Sequence, residues 1–360
     1  MGEQASRRGF LNFNLSLQKD RTMKAYTYSR YGNPEVLELV DVATPIPNDN
    51  EILIKTHATT VSSGDWRARS LKVPAGMGWM ARLAFGVFRP RKPILGTELS
   101  GVVVEVGAAV TEFKVGDAVI AFPGASFGAH AEYCVMPQDG KVAHKPETLS
   151  FEAAAALAFG GTTAYDFLVN KAQVKAGEKV LVNGASGATG TSFVQLAKFF
   201  GAEITAVCSA ANAELVRSLG ADHVFDYAKT DFADGGHKFD VIVDTAGTAP
   251  WSRSRRALTA GGRLVIVNGS LLDMVLGPLR ARLSGKKMIV GVASEAASIL
   301  RKLVSLADEG HFIPVIDRSY SFDHMIDAHR HVDTGHKKGN VVVVLVPSKR
   351  EPGEGERLAS

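Results

Sequence analysis

Cysteine is scarce in this chain: Cys134 and Cys208 are the only two among 360 residues. Two isolated thiols cannot build a disulfide framework or a cysteine-rich zinc site, and they suit a reducing compartment. No stretch reaches about 18 consecutive apolar residues, so a membrane span is not expected. Long Lys/Arg runs are absent as well. With a net charge of +4, the chain offers little footprint for nucleic acid, although small acidic or phosphorylated ligands remain compatible. What is present is the composition of a soluble globular protein, 46% apolar and 22% charged, at a length too great for one ordinary core. Two domains are therefore expected.

The ends stand apart. Ser6-Arg7-Arg8-Gly9-Phe10-Leu11 has the start of a twin-arginine export signal, but Asn12, Asn14 and Ser16 break the apolar core that should follow, and Gln18-Lys19-Asp20-Arg21 closes it. Residues 1–22 read instead as an unstructured extension upstream of an alternative start at Met23, and a cytoplasmic location follows. Residues 347–360, charged and rich in Gly and Pro, read as a disordered tail.

From Met23 to Pro146 short β-branched runs alternate with Gly, Pro, Asn and Asp, the punctuation of a small all-β domain spanning 23–149. One insertion differs. Gly76 to Phe88 sets Trp79, Met80, Leu83, Phe85 and Phe88 at near-helical spacing, as either a core helix or an apolar lid over a ligand pocket. At Ser150 the period changes. Phe151 to Val169 reads as one helix, after which apolar strands alternate with helices through residue 293, the pattern of a doubly wound parallel sheet. A helix over Ser294 to Glu309, another over Phe322 to Thr334 and a strand over Asn340 to Val346 make 294–346 a return segment that completes the first domain.

After the first strand of the expected parallel sheet comes Asn183-Gly184-Ala185-Ser186-Gly187-Ala188-Thr189-Gly190. By itself, glycine at this GxxGxxG spacing is also compatible with a tight turn that binds nothing. Between a strand and a helix it leaves the first helical N–H groups open to an anion, where a dinucleotide pyrophosphate rests. Gly184, Ser186, Gly187, Ala188, Thr189 and Gly190 are the expected cradle.

GTELSGVVVEVG from Gly96, ALAFGGTTAYDFL from Ala156, the glycine loop with its flanks from Val180 to Ser209, and LGADHVFDY from Leu219 follow one another in an order that resembles the medium-chain dehydrogenase/reductase superfamily. Within it the resemblance is to the zinc-independent quinone oxidoreductase and enone reductase branch, including the reticulon-4-interacting-protein type, and it covers about Met23 to Val346. It implies an α/β architecture with a GroES-like β domain and a Rossmann domain, an active site in the cleft between them, and often a homodimer.

Cofactor choice is legible at the end of the second Rossmann strand. NAD enzymes place an acid there for the ribose 2′-hydroxyl, whereas this strand ends Val207-Cys208-Ser209-Ala210-Ala211-Asn212. In NADPH-dependent relatives a serine, often a basic residue three positions on, and a later tyrosine hold the 2′-phosphate. Ser209 and Tyr227 match and Asn212 stands at the basic position, so NADPH is the expected cofactor. By position in the family, Thr163, Val267 and Asn268 face the nicotinamide, and His336, Lys337 and Lys338 fall in a segment that touches cofactor, or else form a solvated loop.

The zinc ligands of the alcohol-dehydrogenase relatives align with Ser62, Thr97 and Phe159, which are poor ligands, so no metal is expected. Asp65 and Glu98 persist from that neighbourhood. The resemblance therefore implies hydride transfer to a small apolar quinone or α,β-unsaturated carbonyl, with Ser62, Ser63, Thr163 and Asn268 as candidate hydrogen-bond donors and Asp65 beside them. Gly64 stands where zinc relatives keep a proton-relay hydroxyl. A non-catalytic, redox-responsive NADPH-binding protein and an alcohol-dehydrogenase-like activity are the alternatives.

Overall fold

The computed structural model describes residues 21–346; the twin-arginine-like stretch and the tail from 347 lie outside the described residues. The chain is already in register before Met23. Thr22 opens β1 (Thr22–Thr27), which pairs antiparallel with β2 (Glu38–Ala43), so the extension assigned to residues 1–22 ends at least one residue earlier.

β3 (Glu51–Thr60), β4 (Leu99–Val106), β5 (Ala118–Ala121), β6 (Tyr133–Pro137) and β7 (Val142–His144) follow. The helices α1 (Ser63–Ser70) and α2 (Gly78–Phe85) lie between β3 and β4. Ile52, Leu53 and Ile54 of β3 are all buried, because this strand sits inside its sheet with β4 on one side and both β6 and a late strand on the other. α3 (Phe151–Ala155) and α4 (Ala158–Tyr165) then lead into the parallel region. The single helix expected over 151–169 is broken. Phe159 gives its backbone N–H to the Glu98 carboxylate at 2.6 Å instead of to the preceding turn, and a π-helical turn at Asp166–Lys171 ends the segment.

The second sheet is all parallel, in the order β10-β9-β8-β11-β12-β13. Its strands are β8 (Lys179–Asn183), β9 (Glu203–Cys208), β10 (His223–Asp226), β11 (Phe239–Asp244), β12 (Leu258–Ile266) and β13 (Lys287–Val290). The crossover helices are α5 (Ala188–Phe199), α6 (Ala213–Ser218), α7 (Trp251–Ala257) and α8 (Leu271–Leu283). Strand order reverses at β8, so the glycine loop after β8 lies at the switch point where such sheets open a ligand crevice. Gly160 and Gly161 let α4 approach closely: a methyl at Gly160 would meet Ser192 Oγ at 2.7 Å, and one at Gly161 would meet Leu303 at 2.8 Å.

α9 (Ala297–Asp308) buries Ile299, Leu300, Leu303 and Leu306 in the same core as Phe193 and Val243, so the return to the first domain begins after it rather than at 294. β14 (Ile316–Ser321), α10 (Met325–Asp333) and β15 (Asn340–Val344) make that return, and β15 inserts between β14 and β3.

Gly76 to Phe88 is not a core helix. Only Ala81 of α2 is buried, while Trp79, Leu83 and Phe88 point into solvent. As a lid it is partial too, since Phe85 alone of this stretch lines the cleft.

Candidate active site

A cleft of about 970 Å³ runs between the two domains. Its floor is the C-terminal edge of the parallel sheet. The N-cap of α5 is Gly187, which offers no side-chain cap, so the N–H groups of its first turn open onto the cleft. The glycines here are sterically required. Gly184 has φ +80°, and a methyl on it would meet Thr245 Oγ1 at 2.7 Å; a methyl on Gly190 would overlap the Gly184 carbonyl and approach Ala185 to 2.9 Å. Gly187 differs, because its nearest neighbour would be 3.6 Å away and its Cβ direction is open.

The basic segment near the chain's end is tied to this loop. Gly339 N–H donates to Ser186 O at 2.9 Å, which sets His336, Lys337 and Lys338 along the cleft. Lys337 Nζ donates to Gly339 O at 2.8 Å, and burial pulls its ammonium down to about 8 against the opposing pull of Glu98 and Asp317. At the other end, Ser209, Asn212 and Tyr227 line the cleft beyond β9 and β10. Asn212 Nδ2 donates to Ser186 Oγ at 2.9 Å, while its Oδ1 is buried without a partner. That open strand end without a carboxylate, the bare N-terminus of α5 and the nearby lysines fit the phosphates of a dinucleotide.

Of the sequence-derived candidates, Ser62, Ser63, Thr163, Gly184, Ser186, Gly187, Ala188, Thr189, Gly190, Ser209, Asn212, Tyr227, Val267, Asn268, His336, Lys337 and Lys338 all line this one cleft. Asp65 does not. It is fully buried behind the wall, accepting from Ser62 N–H at 2.8 Å, Ser62 Oγ at 2.6 Å and Gly96 N–H at 2.8 Å. The Ser62 hydroxyl caps α1, and its one proton goes to Asp65. The Thr163 proton is given to Phe159 O at 2.8 Å, and Asn268 Nδ2 donates to Thr245 O at 3.1 Å. Asp65 is thus a positioning residue rather than a catalytic one, and Ser62 and Thr163 are committed donors. Ser63 lines the cleft with its hydroxyl unengaged.

Several lining residues carried no sequence signal as site residues. Arg67 projects into the cleft beside Trp66; its Nε is buried without a partner, and burial lowers its affinity for the proton. Its place five residues beyond the Ser62 cap of α1 could be found only by knowing that α1 walls the cleft. Asn183 and the loop after β11 were also unforeseen. Asp244 holds that loop by accepting from Gly247 N–H and Ala249 N–H, each at 2.9 Å, and Asn183 Nδ2 bridges Asp244 and Thr248 at 2.8 Å. Both lie at strand ends beside the switch point, and that position is the available clue.

The positions aligned with zinc ligands do converge. A methyl on Gly64 would meet the Phe159 ring at 3.2 Å, Ser62 Oγ at 3.2 Å and Thr97 at 3.4 Å, with Thr97 Oγ1 3.0 Å from Ser62 Oγ. Two hydroxyls and a phenyl ring do not fit zinc. Among the described residues no group of three or more His, Cys, Asp or Glu could hold a metal ion. Glu98 lies fully buried next to this point; burial pushes its carboxyl up to about 7, against hydrogen bonds from Thr60 Oγ1 at 2.5 Å and Phe159 N–H at 2.6 Å.

The family described as the alcohol dehydrogenase GroES-like domain matches residues 48–165, and the one described as zinc-binding dehydrogenase matches 219–343. The chain is 34% identical to the 2-methylene-furan-3-one reductase of Solanum lycopersicum, over 93% of this chain and 82% of that protein. The chain belongs to the medium-chain dehydrogenase/reductase superfamily. Among other relatives in this superfamily, the chloroplastic NADPH-dependent alkenal/one oxidoreductase of Arabidopsis thaliana is 31% identical over 94% of this chain and 83% of its own. The quinone oxidoreductase of Coxiella burnetii superposes with a TM-score of 0.79 at 29% identity, over 90% of this chain and 100% of that one. As a medium-chain dehydrogenase/reductase of the quinone oxidoreductase and enone reductase branch, the chain has the GroES-like and Rossmann domains and is an oxidoreductase.

Proposed function

We propose that this oxidoreductase is a zinc-independent, NADPH-dependent reductase of apolar quinones or α,β-unsaturated carbonyls. The observation that carries the reading is the convergence of Ser62, Thr97 and Phe159 where a metal would have to sit. Ionising an alcohol without a Lewis acid needs a base at the cleft wall; Asp65 and Glu98, beside this point, are buried behind the wall in hydrogen bonds, and the two carboxylates that line the cleft, Glu295 and Asp333, are paired with Lys141 and Arg69. Reduction of a conjugated acceptor needs only orientation and a donor for the developing oxyanion. The names of the tomato, Arabidopsis and Coxiella relatives support the same substrate classes.

When bound, the nicotinamide supplies hydride to the electron-poor carbon. The glycine loop and Lys337 would hold its phosphates, and Val267, Thr163 and Asn268 would face its ring. Ser63 and Arg67 are the donors left free to meet the substrate oxygen, and water delivers the final proton. Ser209 and Asn212, on a strand that ends without an acid of its own, favour the 2′-phosphate, and Asp226 at the end of the neighbouring β10 accepts from Ala228 N–H at 3.1 Å.

Purified without added metal, the protein is expected to oxidise NADPH with naphthoquinones, alkenals or alkenones, insensitively to chelators, and to bind NADPH more tightly than NADH. Chelator-sensitive oxidation of simple alcohols with no quinone or enone turnover would overturn the reaction. Tight NADPH binding with no turnover across the panel would leave the redox-responsive binding role instead.

Lys337 adds a pH test. Its ammonium titrates near 8, so NADPH affinity should weaken as pH rises through that value and the charge is lost. Lys337→Ala should raise the dissociation constant at neutral pH about tenfold, the effect of one charge-assisted hydrogen bond, and remove the pH step. Unchanged fluorescence titrations would assign 336–338 to a solvated loop.

A further inference from the structure

Two helices beside the cleft are inverted amphipaths. On α2 the buried residue is Ala81, and on α8 they are Gly277 and Ala281. The fully buried positions thus carry small side chains, and most of the large ones face out, Phe85 of α2 excepted. Trp79 is 60% exposed, Leu83 53%, Phe88 96% and Leu283 82%, and Leu272, Val275 and Leu279 are exposed as well. The two helices adjoin at their starts, where Leu271 N–H donates to Ala75 O at 3.1 Å. Gly277 makes the docking of α8 on β13 tight, since a methyl there would overlap Met288. An apolar surface of this extent needs a covering phase.

Charge identifies it. Residues 76–92 contain Arg82, Arg89, Arg91 and Lys92 and no acid. Residues 271–287 contain Arg280, Arg282, Lys286 and Lys287 and one acid, Asp273, which is consumed in the capping box of α8. None of these eight cations forms an ion pair among the described residues. A two-fold interface between copies would set like charges against each other. A nucleic acid would satisfy the cations and leave the leucines, Trp79 and Phe88 in water. Aromatic and aliphatic tips set among lysines and arginines on a short helix pair match the boundary of an anionic bilayer, where side chains enter the headgroup layer without spanning.

We propose that α2, its extension to Lys92, and α8 form a monotopic docking surface for an anionic lipid bilayer. The cleft opens beside this surface: Phe85 of α2 lines it, and so does Val292, just past β13 and 83% exposed. Resting on the reductase reading, this placement admits a membrane-dissolved quinone or enone without passage through water.

The test uses the full chain, without cofactor or turnover, so its outcome is separate from that of the reductase reading. In co-sedimentation, the protein should partition onto phosphatidylcholine vesicles containing about a third phosphatidylglycerol, weakly onto phosphatidylcholine alone, and less at high salt. Arg280→Glu with Arg282→Glu should lower the partition coefficient by about fivefold or more for each charge removed. Phe88→Asp with Leu83→Asp should lower it at least tenfold while circular dichroism and NADPH affinity stay those of the wild type, as expected for exposed positions. No binding to anionic vesicles, equal binding to neutral ones, or variants that bind like the wild type would overturn the proposal. A dimer by light scattering that Phe88→Asp converts to monomer, with vesicle binding absent, would give the face to a second copy instead.

Discussion

Gly190→Ala is expected to abolish NADPH binding at concentrations that saturate the wild type, and to destabilise the fold. The added methyl would overlap the Gly184 carbonyl and crowd the Ala185 backbone, both of which are main chain and cannot swing aside. Relieving that clash moves the loop away from the N-terminus of α5, so the N–H groups no longer converge on a phosphate. Overpacking of this kind costs about 1–3 kcal/mol, read as a lower urea midpoint at unchanged slope. Gly187→Ala is the discriminating partner. Its methyl makes only ordinary contact at 3.6 Å, and the backbone there has φ −76°, which alanine adopts freely. The fold should hold within about 0.5 kcal/mol. NADPH affinity should still drop at least about tenfold, because a methyl at the mouth of the loop keeps the pyrophosphate from close approach. Wild-type affinity in both variants would remove the loop from the cofactor site.

The second large effect concerns Arg69 and Asp333, which join α1 to α10. The Arg69 side chain is wholly buried, pairs with Asp333 and donates to Gly32 O at 2.7 Å. Burial lowers the proton affinity of the guanidinium and raises that of the carboxyl despite their attraction, so desolvation outweighs the pair. Breaking it from the two sides should therefore differ. Asp333→Leu strands a fully buried cation and should cost about 3–5 kcal/mol. Arg69→Met leaves a carboxylate whose side chain is 25% exposed and can be hydrated, so its loss should be smaller, about 2 kcal/mol. The double variant should recover most of the Asp333→Leu loss, and the unfilled Gly32 carbonyl should account for the remainder. Urea unfolding of the four proteins measures the coupling; strictly additive losses would show that the ions do not depend on each other.

How far the sequence was legible depends on which physical signal each element carries. The glycine loop, the shift from alternating strands to a parallel sheet and the missing acid after β9 are local patterns, and each stands where expected. α8 was not foreseen. Its capping box Ser270-Leu271-Leu272-Asp273 was visible, but Pro278 and Gly277 within the next turns weaken the helical pattern, and large apolar residues normally mark a buried face. The same habit made Trp79 to Phe88 read as interior or lid. Asp65 stood among the reacting groups because it persists from the neighbourhood of the relatives' zinc. Its two bonds from Ser62 belong to a local capping box, but the third comes from Gly96, some thirty residues away in sequence, and no local pattern carries that.

The insertion of β15 between β14 and β3 bears on the timing of synthesis. Every strand of the parallel sheet lies within residues 179–290, so that sheet can close soon after its own segment leaves the ribosome. β3 cannot: its partner for Thr60 is Val342. At about 5–20 residues per second, that edge waits roughly a quarter of a minute to a minute for its neighbour. Through that interval the Ala58–Thr60 end of β3, which β6 does not reach, keeps open hydrogen-bonding groups, the kind of edge that pairs with other chains. Slow elongation across residues 60–340 therefore lengthens the window for aggregation.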